Sequence, residues 1–226
     1  MRATLVLPAA GAGVRFGGAV PKQFLLLAGI PVLRRSLDAF VGLVDEAVIP
    51  VASAGRAAVA AALAGSPIPL RLVEGGATRQ ASVHAGLLAS DPTCAVVLVH
   101  DAVRPLVPRD CIAACLAALA QHDAALVALP CADTVKRAVG TTVAATVPRD
   151  DLWLAQTPQG FRRASGLTAF ARAASEGWTC SDDAQVLERA GFAVALVTGD
   201  RRNLKITTAE DLALAEALLA AERDDE

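Results

Sequence analysis

Short apolar runs alternate with amphipathic stretches along nearly the whole chain. The apolar runs predict six strands: Thr4–Leu7, Glu46–Val51, Leu70–Val73, Ala95–His100, Ala124–Leu129 and Ala193–Val197. The stretches between and after them predict seven helices: Pro31–Phe40, Gly55–Ala64, Arg79–Ala89, Arg109–Gln121, Arg163–Glu176, Asp182–Ala190 and Ala209–Arg223. This alternation is typical of an α/β fold in which helices cover both faces of a mostly parallel sheet.

Two of the predicted helices carry recognisable start signals. Thr207 followed by Glu210 fits a capping box for the last helix. Ser181 followed by Asp182 and Asp183 fits an N-cap with acidic residues in the first turn.

The alternation is interrupted at residues 131–158. Val135–Val139 and Val143–Val147 flank a Gly-Thr-Thr turn and predict a β-hairpin arm that projects from the main sheet. An isolated hairpin is only marginally stable in water, so we expect a second copy of the chain to cover it. The expected organisation is one domain over residues 1–226 with a dimerisation arm at about 131–158.

Composition narrows the class of protein. The 226 residues suffice for one large α/β domain, and with 54% hydrophobic but only 4% aromatic residues the core must consist of Ala, Leu and Val. A net charge of −2 argues against a dedicated binder of duplex nucleic acid, although local Arg clusters could still hold a nucleotide. The sequence has neither a long apolar run nor a signal-type start, and its five Cys form no Cys-x-x-Cys pair, so we expect a cytoplasmic protein with buried thiols.

A glycine-rich turn directly follows the first predicted strand. It contains Gly11 and Gly13, with Arg15 inside the turn and Lys22 just beyond it. Small residues let backbone N–H groups approach a polyphosphate, and the two cations would neutralise its charge. The turn does not match the dinucleotide fingerprint, because Phe16 stands where a third Gly is needed. It does not match the P-loop either, because Phe16 replaces the required Gly counted from Gly11, and Ala19 replaces the required Lys counted from Gly13.

Two later loops also follow predicted strands. In the first, Gly75-Gly76 precede a helix that begins with Arg79 and contains Ser82; it is either an anion site or a plain turn with a solvated Arg. The second runs from His100 to Pro105. Because the carboxyl ends of parallel strands face one edge of the sheet, we expect all three loops to converge on one site.

The second of these loops leaves two readings open. Asp101 is well placed to hold Mg²⁺ directly or through water, but it could instead cap a helix or form a salt bridge. Arg104 could pair with Asp101 or with a phosphate, and His100 is expected to be packed and hydrogen-bonded rather than a general base. Lys205, between apolar neighbours near the end of the chain, needs an anionic partner, which a bound phosphate would provide.

Taken together, these segments resemble the 2-C-methyl-D-erythritol 4-phosphate cytidylyltransferase family over nearly the whole chain. The matching segments are Pro8-Ala-Ala-Gly-Ala-Gly-Val-Arg15, Pro21-Lys-Gln23, Gly75-Gly76 with Arg79 and Ser82, His100-Asp-Ala-Val-Arg-Pro105, Asp133-Thr134, Arg149, Thr157-Pro-Gln159, Asp182 and Asn203-Leu-Lys-Ile-Thr207. The first segment alone would indicate only the wider nucleotidyltransferase superfamily, whereas the arm and the Lys205 segment make the match specific.

The resemblance implies a Rossmann-like domain, a homodimer locked by the β-arm, and Mg²⁺-dependent transfer of CMP from CTP to methylerythritol phosphate with release of pyrophosphate. It assigns catalysis to Arg15, Lys22, Arg149 and Lys205, with Thr134 and Arg149 supplied by the partner subunit. The nucleotide-binding residues it implies are Pro8, Ala9, Ala10, Gly11, Ala12, Gly13, Gly75, Gly76, Arg79 and Ser82. The substrate-binding residues it implies are Asp101, Arg104, Thr134, Arg149, Thr157 and Lys205, with Asp101 also near the metal.

Some positions depart from the family pattern, and other functions remain to be weighed. Ala77 replaces a common acidic residue, Val103 a small residue, and Pro148 an acid before Arg149. The runner-up function is a nucleotidyltransferase that acts on another sugar or polyol phosphate. A nucleotide-dependent oxidoreductase is disfavoured by Phe16, and a non-catalytic nucleotide sensor by the retention of both loop cations and Lys205.

Overall fold

A twisted seven-stranded sheet organises the fold in a computed structural model that describes residues 1–11 and 20–224. The strands of the described part are β1 (Ala3–Val6), β2 (Leu26–Leu27), β3 (Ile30–Pro31), β4 (Glu46–Val51), β5 (Leu70–Glu74), β6 (Val96–Val99), β7 (Ala124–Pro130), β8 (Val135–Val139), β9 (Thr142–Val147), β10 (Trp153–Arg162) and β11 (Val194–Thr198). The order across the main sheet is β11-β7-β10-β6-β1-β4-β5. The α/β class, the mostly parallel sheet and all six predicted strands are therefore confirmed, with ends that differ by at most one residue.

One strand of the main sheet was not predicted. β10 lies antiparallel between β6 and β7, whereas the other neighbouring pairs of this sheet are parallel. The predicted arm at 131–158 therefore ends too late, because β10 begins at Trp153 and belongs to the main sheet. A small hairpin, β2–β3, was not predicted either.

Helices cover both faces of the sheet, as the alternation of the sequence predicts. They are α1 (Val32–Asp38), α2 (Arg56–Ala62), α3 (Arg79–Ala89), α4 (Arg109–Ala118), α5 (Arg163–Ser175), α6 (Asp183–Arg189) and α7 (Ala209–Asp224). Successive strand residues point to opposite faces, so Leu5 and Leu98 join the core under α1, α2 and α4. Val6 and Val97 join the core under α3, α5 and α6.

Two predicted helix caps are displaced by one residue. Asp182, not Ser181, is the N-cap of α6, and its carboxylate accepts a hydrogen bond from the Gln185 backbone N–H. In α7 the capping box joins Thr208 and Asp211: the Asp211 N–H donates to the Thr208 hydroxyl, and the Thr208 N–H donates to the Asp211 carboxylate. The motif is correct in kind, but Thr207 and Glu210 are not its members.

The strands β8 and β9 form a separate two-stranded sheet with a register shift between Arg137 and Ala138. Most of its side chains are exposed, including Val139 (73%) and Val143 (61%). The predicted hairpin is thus present, and its own sheet contributes little to the core of this chain. In the described part of the chain, no helix is both long and apolar enough to cross a membrane.

Candidate active site

Loops after β1, β5 and β6 meet at one edge of the sheet and enclose a cavity of about 420 Å³. Its lining residues are Pro8, Ala9, Ala10, Gly11, Lys22, Gln23, Gly76, Ala77, Thr78, Arg79, Ser82, Asp101, Ala102, Val103 and Lys205. The geometry brings together the three loops that the sequence places at the carboxyl ends of parallel strands.

The first loop continues the strand before it turns. The Leu7 and Ala9 backbone N–H groups donate to the carbonyls of Val48 and Pro50, so the chain stays beside β4 as far as the cavity. The buried Gln23 side chain then donates to the carbonyl oxygens of Ala9 (3.4 Å) and Gly11 (3.2 Å). Three residues predicted for this loop, Ala12, Gly13 and Arg15, lie outside the described part of the chain.

The second loop is tight because its two glycines let other segments of the same chain approach closely. A Cβ on Gly75 would lie 2.7 Å from the Cβ of Ala10, which belongs to the first loop. A Cβ on Gly76 would lie 2.4 Å from the Cβ of Ala81 in α3. Separations this short force the backbone to move, so glycine is required at both positions.

The hydroxyl of Ser82 forms hydrogen bonds within the second loop and so stabilises it. Its Oγ accepts a hydrogen bond from the Gly76 N–H at 3.1 Å and donates to the Thr78 carbonyl at 2.9 Å. Thr78 caps α3 by accepting from the Ala81 N–H. The loop is therefore fixed from both sides by hydroxyl groups.

Three cations surround the carboxylate of Asp101, whose side chain is 11% exposed. Its Oδ1 lies 3.3 Å from Arg79 Nε, and its Oδ2 lies 2.9 Å from Lys205 Nζ and 3.4 Å from Arg104 Nε. Burial opposes ionisation of Asp101, but the charges of Arg79, Lys205 and Arg104 outweigh it and hold the pKa below its usual range. Of the alternatives open for Asp101, the structure shows the salt-bridged one.

Arg79 joins this cluster to a second carboxylate, that of the buried Asp183. Its Nη2 lies 2.9 Å from Asp183 Oδ2 in the first turn of α6. Burial opposes the charge on Arg79, but the two carboxylates overcome it, so the pKa of Arg79 lies above its ordinary value. A continuous chain of charges, Asp183–Arg79–Asp101–Lys205, thus runs along the cavity wall.

A hydrogen-bonded chain behind the cavity fixes the loop of Asp101. The Asp101 N–H donates to Thr157 Oγ1 (3.1 Å), which lies 2.9 Å from His100 Nδ1, and His100 Nε2 lies 3.1 Å from the Arg104 carbonyl oxygen. A carbonyl only accepts, so Nε2 carries the ring proton and Nδ1 accepts from the Thr157 hydroxyl. Burial lowers the pKa of His100 to about 4, so this ring is neutral at pH 7. The expectation of a packed, hydrogen-bonded His100 agrees with the structure.

The segment before Lys205 is attached to the same series of hydrogen-bonded groups. The Asn203 side-chain amide donates to the Thr157 carbonyl at 2.7 Å, and Arg104 Nη1 donates to the Asn203 carbonyl at 2.6 Å. Gln156 from β10 donates to the Asp200 carbonyl. Thr157 and Arg104, predicted as substrate contacts, thus lie behind the cavity lining and connect its parts.

The two predicted arm residues lie away from the cavity of their own chain. Arg149 Nη1 donates to the carbonyl of Ala132, and both Thr134 and Arg149 are exposed. Neither side chain lines the cavity.

The described residues do not form a metal cage. No group of three or more His, Cys, Asp or Glu side chains in the described part could hold a metal ion. Among the described residues that line the cavity, Asp101 is the one carboxylate, and both of its oxygens already face cations. A divalent cation at this site would therefore depend on oxygen ligands from a bound polyphosphate.

Sequence reasoning missed Gln23 and Asp183 as parts of the site. Gln23 was recognised only as a member of a motif, and its distance from Gly11 along the chain gives no sign of the contact. Asp183 is 104 residues from Arg79, so only the adjacent acidic pair after Ser181 could have drawn attention to it.

Comparison with known proteins agrees with these features. A family model described as 2-C-methyl-D-erythritol 4-phosphate cytidylyltransferase matches residues 3–221. The chain is 48% identical over 217 residues to the protein of that name from Deinococcus radiodurans, covering 96% of this chain and 89% of the relative.

Solved structures of the same kind superpose over the full fold. The synthase of 4-diphosphocytidyl-2C-methyl-D-erythritol from Anaerococcus prevotii has a TM-score of 0.85 at 29% identity, covering 97% of this chain and 98% of the other. The cytidylyltransferase from Thermus thermophilus has a TM-score of 0.82 at 38% identity, covering 96% and 98%.

Proposed function

The chain belongs to the 2-C-methyl-D-erythritol 4-phosphate cytidylyltransferase family, and we propose how the residues of its cavity carry out the family's reaction. The enzyme transfers CMP from CTP to 2-C-methyl-D-erythritol 4-phosphate and releases pyrophosphate, a step of isoprenoid synthesis by the non-mevalonate pathway. The observation that carries the proposed roles is a cavity edged by Lys22, Arg79 and Lys205.

The reaction needs positioning and charge neutralisation more than a side-chain nucleophile. An oxygen of the substrate phosphate attacks the α-phosphorus of CTP, forming a new P–O bond, while the bond to the β-phosphate breaks and pyrophosphate leaves. The substrate phosphate is already a nucleophile, so catalysis rests on alignment for in-line displacement and on cations around the triphosphate. This requirement matches a cavity whose ionised groups are mostly cations.

At the nucleotide end, we assign the loops Pro8–Gly13 and Gly75–Ser82 to CTP. Gly11 and Gly76 line the cavity with backbone and leave room for phosphate or base edges, and Arg79 adds a charged donor. Lys22 lines the same side, and we assign it, with Arg15, to the developing charge on the triphosphate.

At the other end, we assign Lys205 and Asp101 to methylerythritol phosphate. Lys205 lies against Asp101 at 2.9 Å, so an arriving phosphate must share or displace that ion pair. Asp101, Arg104 and Thr157 then act together: Thr157 and Arg104 hold the loop, and the Asp101 carboxylate orders the cations around the phosphate.

We propose that Mg²⁺ enters with the triphosphate as part of the substrate. Bound there, it would offset phosphate charge, with Asp101 as the nearest protein carboxylate. Mg²⁺ commonly keeps several waters and binds through substrate phosphates with one or two carboxylates, which fits a cavity whose described lining contains a single carboxylate.

We further propose a cytoplasmic homodimer in which the β8–β9 arm brings Thr134 and Arg149 to the partner's cavity. Two facts support the dimer: both residues lie away from their own cavity, and the arm exposes Val139 and Val143. All five cysteines are free thiols, which supports a reducing compartment.

A pyrophosphate-release assay tests these roles. Each of the four ribonucleoside triphosphates is offered with methylerythritol phosphate and with a panel of other sugar and polyol phosphates. We expect CTP with methylerythritol phosphate to be preferred; equal or faster turnover of another pair would favour the runner-up nucleotidyltransferase.

Two single variants assign the ends of the cavity. Lys22→Ala should lose most turnover, whereas Lys205→Ala should lose activity mainly at the end of the cavity that binds the polyol phosphate. Each removed cation should cost about 2–4 kcal/mol of transition-state stabilisation where water is excluded from the contact. Arg71→Ala, which removes an exposed cation outside the cavity lining, is the control. Near-normal kinetics for both cavity variants would refute the assignments.

A further inference from the structure

We propose that Asp183 is a positioning residue that fixes the guanidinium of Arg79 in the cavity wall and thereby sets the affinity for CTP. The inference rests on the proposed function, because it takes Arg79 as a contact of the nucleotide. Asp183 itself is only 1% exposed and does not line the cavity, so it can act on a ligand only through Arg79.

The carboxylate of Asp183 is buried, and it forms an ion pair with Arg79. Asp183 Oδ2 lies 2.9 Å from Arg79 Nη2, and Arg79 is the only cation within ion-pair distance of Asp183 among the described residues. Removing a carboxylate from water is costly unless a well-placed partner compensates it. Each of the two side chains therefore fixes the position of the other.

Arg79 is restrained from two directions by two different elements. The carboxylate of Asp183 in α6 accepts a hydrogen bond from Arg79 Nη2, and the carboxylate of Asp101 in the loop after β6 lies 3.3 Å from Arg79 Nε. Among the described residues, Nη1 has no hydrogen-bond partner, which leaves this donor for a ligand. A guanidinium already ordered in this way loses less conformational entropy when an anion or a base edge binds.

Without Asp183, the charge balance along the cavity wall would change. Asp101 would then be the one carboxylate beside Arg79, although Asp101 already faces Lys205 at 2.9 Å and Arg104 at 3.4 Å. We expect Arg79 to turn further toward Asp101, which would move its donors away from the nucleotide.

A purely structural role as a helix cap does not explain the Asp183 side chain. Asp182 is the N-cap of α6, and its two oxygens accept from the Gln185 N–H and the Gln159 side chain. The Ala184 N–H donates to Gln159 Oε1. The start of α6 is therefore satisfied without the carboxylate of Asp183.

Asp183→Asn tests the proposal, because it removes the charge and keeps the size. We expect KM for CTP to rise about tenfold, equal to about 1.4 kcal/mol, while kcat and KM for methylerythritol phosphate change much less. Asp182→Asn removes a neighbouring charge from the same turn but does not touch Arg79, and should leave KM for CTP near the wild-type value. A fall in kcat with unchanged KM for CTP would overturn the proposal.

A double-mutant cycle shows whether Asp183 acts through Arg79. In an Arg79→Gln background, Asp183→Asn should change KM for CTP by less than about twofold, because the interaction it supports is already gone. If the two effects multiply instead, Asp183 acts by another route. If Asp183→Asn alone fails to fold, a clear further rise in KM for CTP between Arg79→Gln and the double variant would still overturn the proposal.

The NMR signal of the Arg79 Nε–H group gives a readout that does not depend on turnover. It is assigned by its absence in Arg79→Gln, and we expect it to shift and exchange faster in Asp183→Asn but not in Asp182→Asn. An unchanged signal would refute the positioning role. If the wild type releases no pyrophosphate from CTP while this signal responds as expected, the proposed function fails and the positioning of Arg79 stands.

Discussion

At the scale of single residues, the hydroxyl of Thr157 is the link between β10 and the loop of Asp101. It accepts from the Asp101 N–H and donates to His100 Nδ1, and both contacts are buried or partly buried. Thr157→Val keeps the shape but leaves these two groups unpaired, so we expect a loss of about 1–3 kcal/mol in the free energy of unfolding. Urea denaturation measures it. Thr157→Ser keeps the hydroxyl and serves as the control; an equal loss in both variants would contradict the argument.

The buried ring of His100 predicts a pH dependence of stability. Its pKa is about 4 in the folded chain, against about 6.5 when unfolded. Between these values the unfolded chain binds a proton that the folded chain does not, so stability falls as pH drops from 6.5 to 4, by at most about 3 kcal/mol from this group. The comparison is the urea midpoint at pH 7 and pH 4.5 for the wild type and His100→Gln. A wild-type pH dependence no steeper than that of the variant would argue against it.

Residue types alone leave the roles of charged groups open. The sequence identifies Asp101, Arg79, Arg104 and Lys205 as candidates, because each lies in or beside a loop after a strand or next to a helix start. It does not show that they form one cluster, since the contact between Lys205 and Asp101 joins positions 104 apart in the chain. Long-range ion pairs of this kind depend on packing, which a local pattern does not encode.

At the scale of elements, the loop between β5 and α3 depends on Gly76. Gly76→Ala would place a Cβ 2.4 Å from that of Ala81, so the loop or the first turn of α3 must move. Because this loop lines the cavity, we expect KM for CTP to rise about tenfold, together with a stability loss of about 1–3 kcal/mol. Steady-state kinetics and urea denaturation provide the measurements. Gly55→Ala is the matched control, because its Cβ would meet Val51 at an ordinary 3.4 Å.

The elements that the sequence predicts are those with strong periodicity and short connections. β10 was missed because Pro158 lies within it, and proline removes a ladder donor and weakens a strand assignment. In the structure the register shifts between Ala155 and Gln159, so Pro158 occupies an irregular part of the strand. Strand order is a further case: β10 enters between β6 and β7 although it follows β7 in the chain, and no local signal specifies that insertion.

At the scale of the whole molecule, one sheet edge joins segments from distant parts of the chain. The Asp101 loop and the Lys205 segment are held together through Thr157 and Asn203, and Gln23 holds the first loop. The arm is different, because β8 and β9 form their own sheet and Val139 and Val143 remain exposed. Val139→Asp with Val143→Asp should therefore leave the fold of one chain intact but weaken the dimer, and sedimentation should detect monomers at assay concentration. A dimer unchanged by both substitutions would mean that the arm does not cover this surface.

The proposal that Arg149 is supplied in trans makes a stricter prediction, which a mixing experiment decides. Lys22→Ala and Arg149→Ala homodimers should each be nearly inactive, because every site lacks one cation. In a mixed dimer, the chain with Lys22 receives the arm with Arg149, so one of its two sites is complete. Random exchange makes half of the dimers mixed, and activity should recover to about a quarter of the wild-type value. If Arg149 served the cavity of its own chain, every site in the mixture would still lack one of the two residues, and no activity would return.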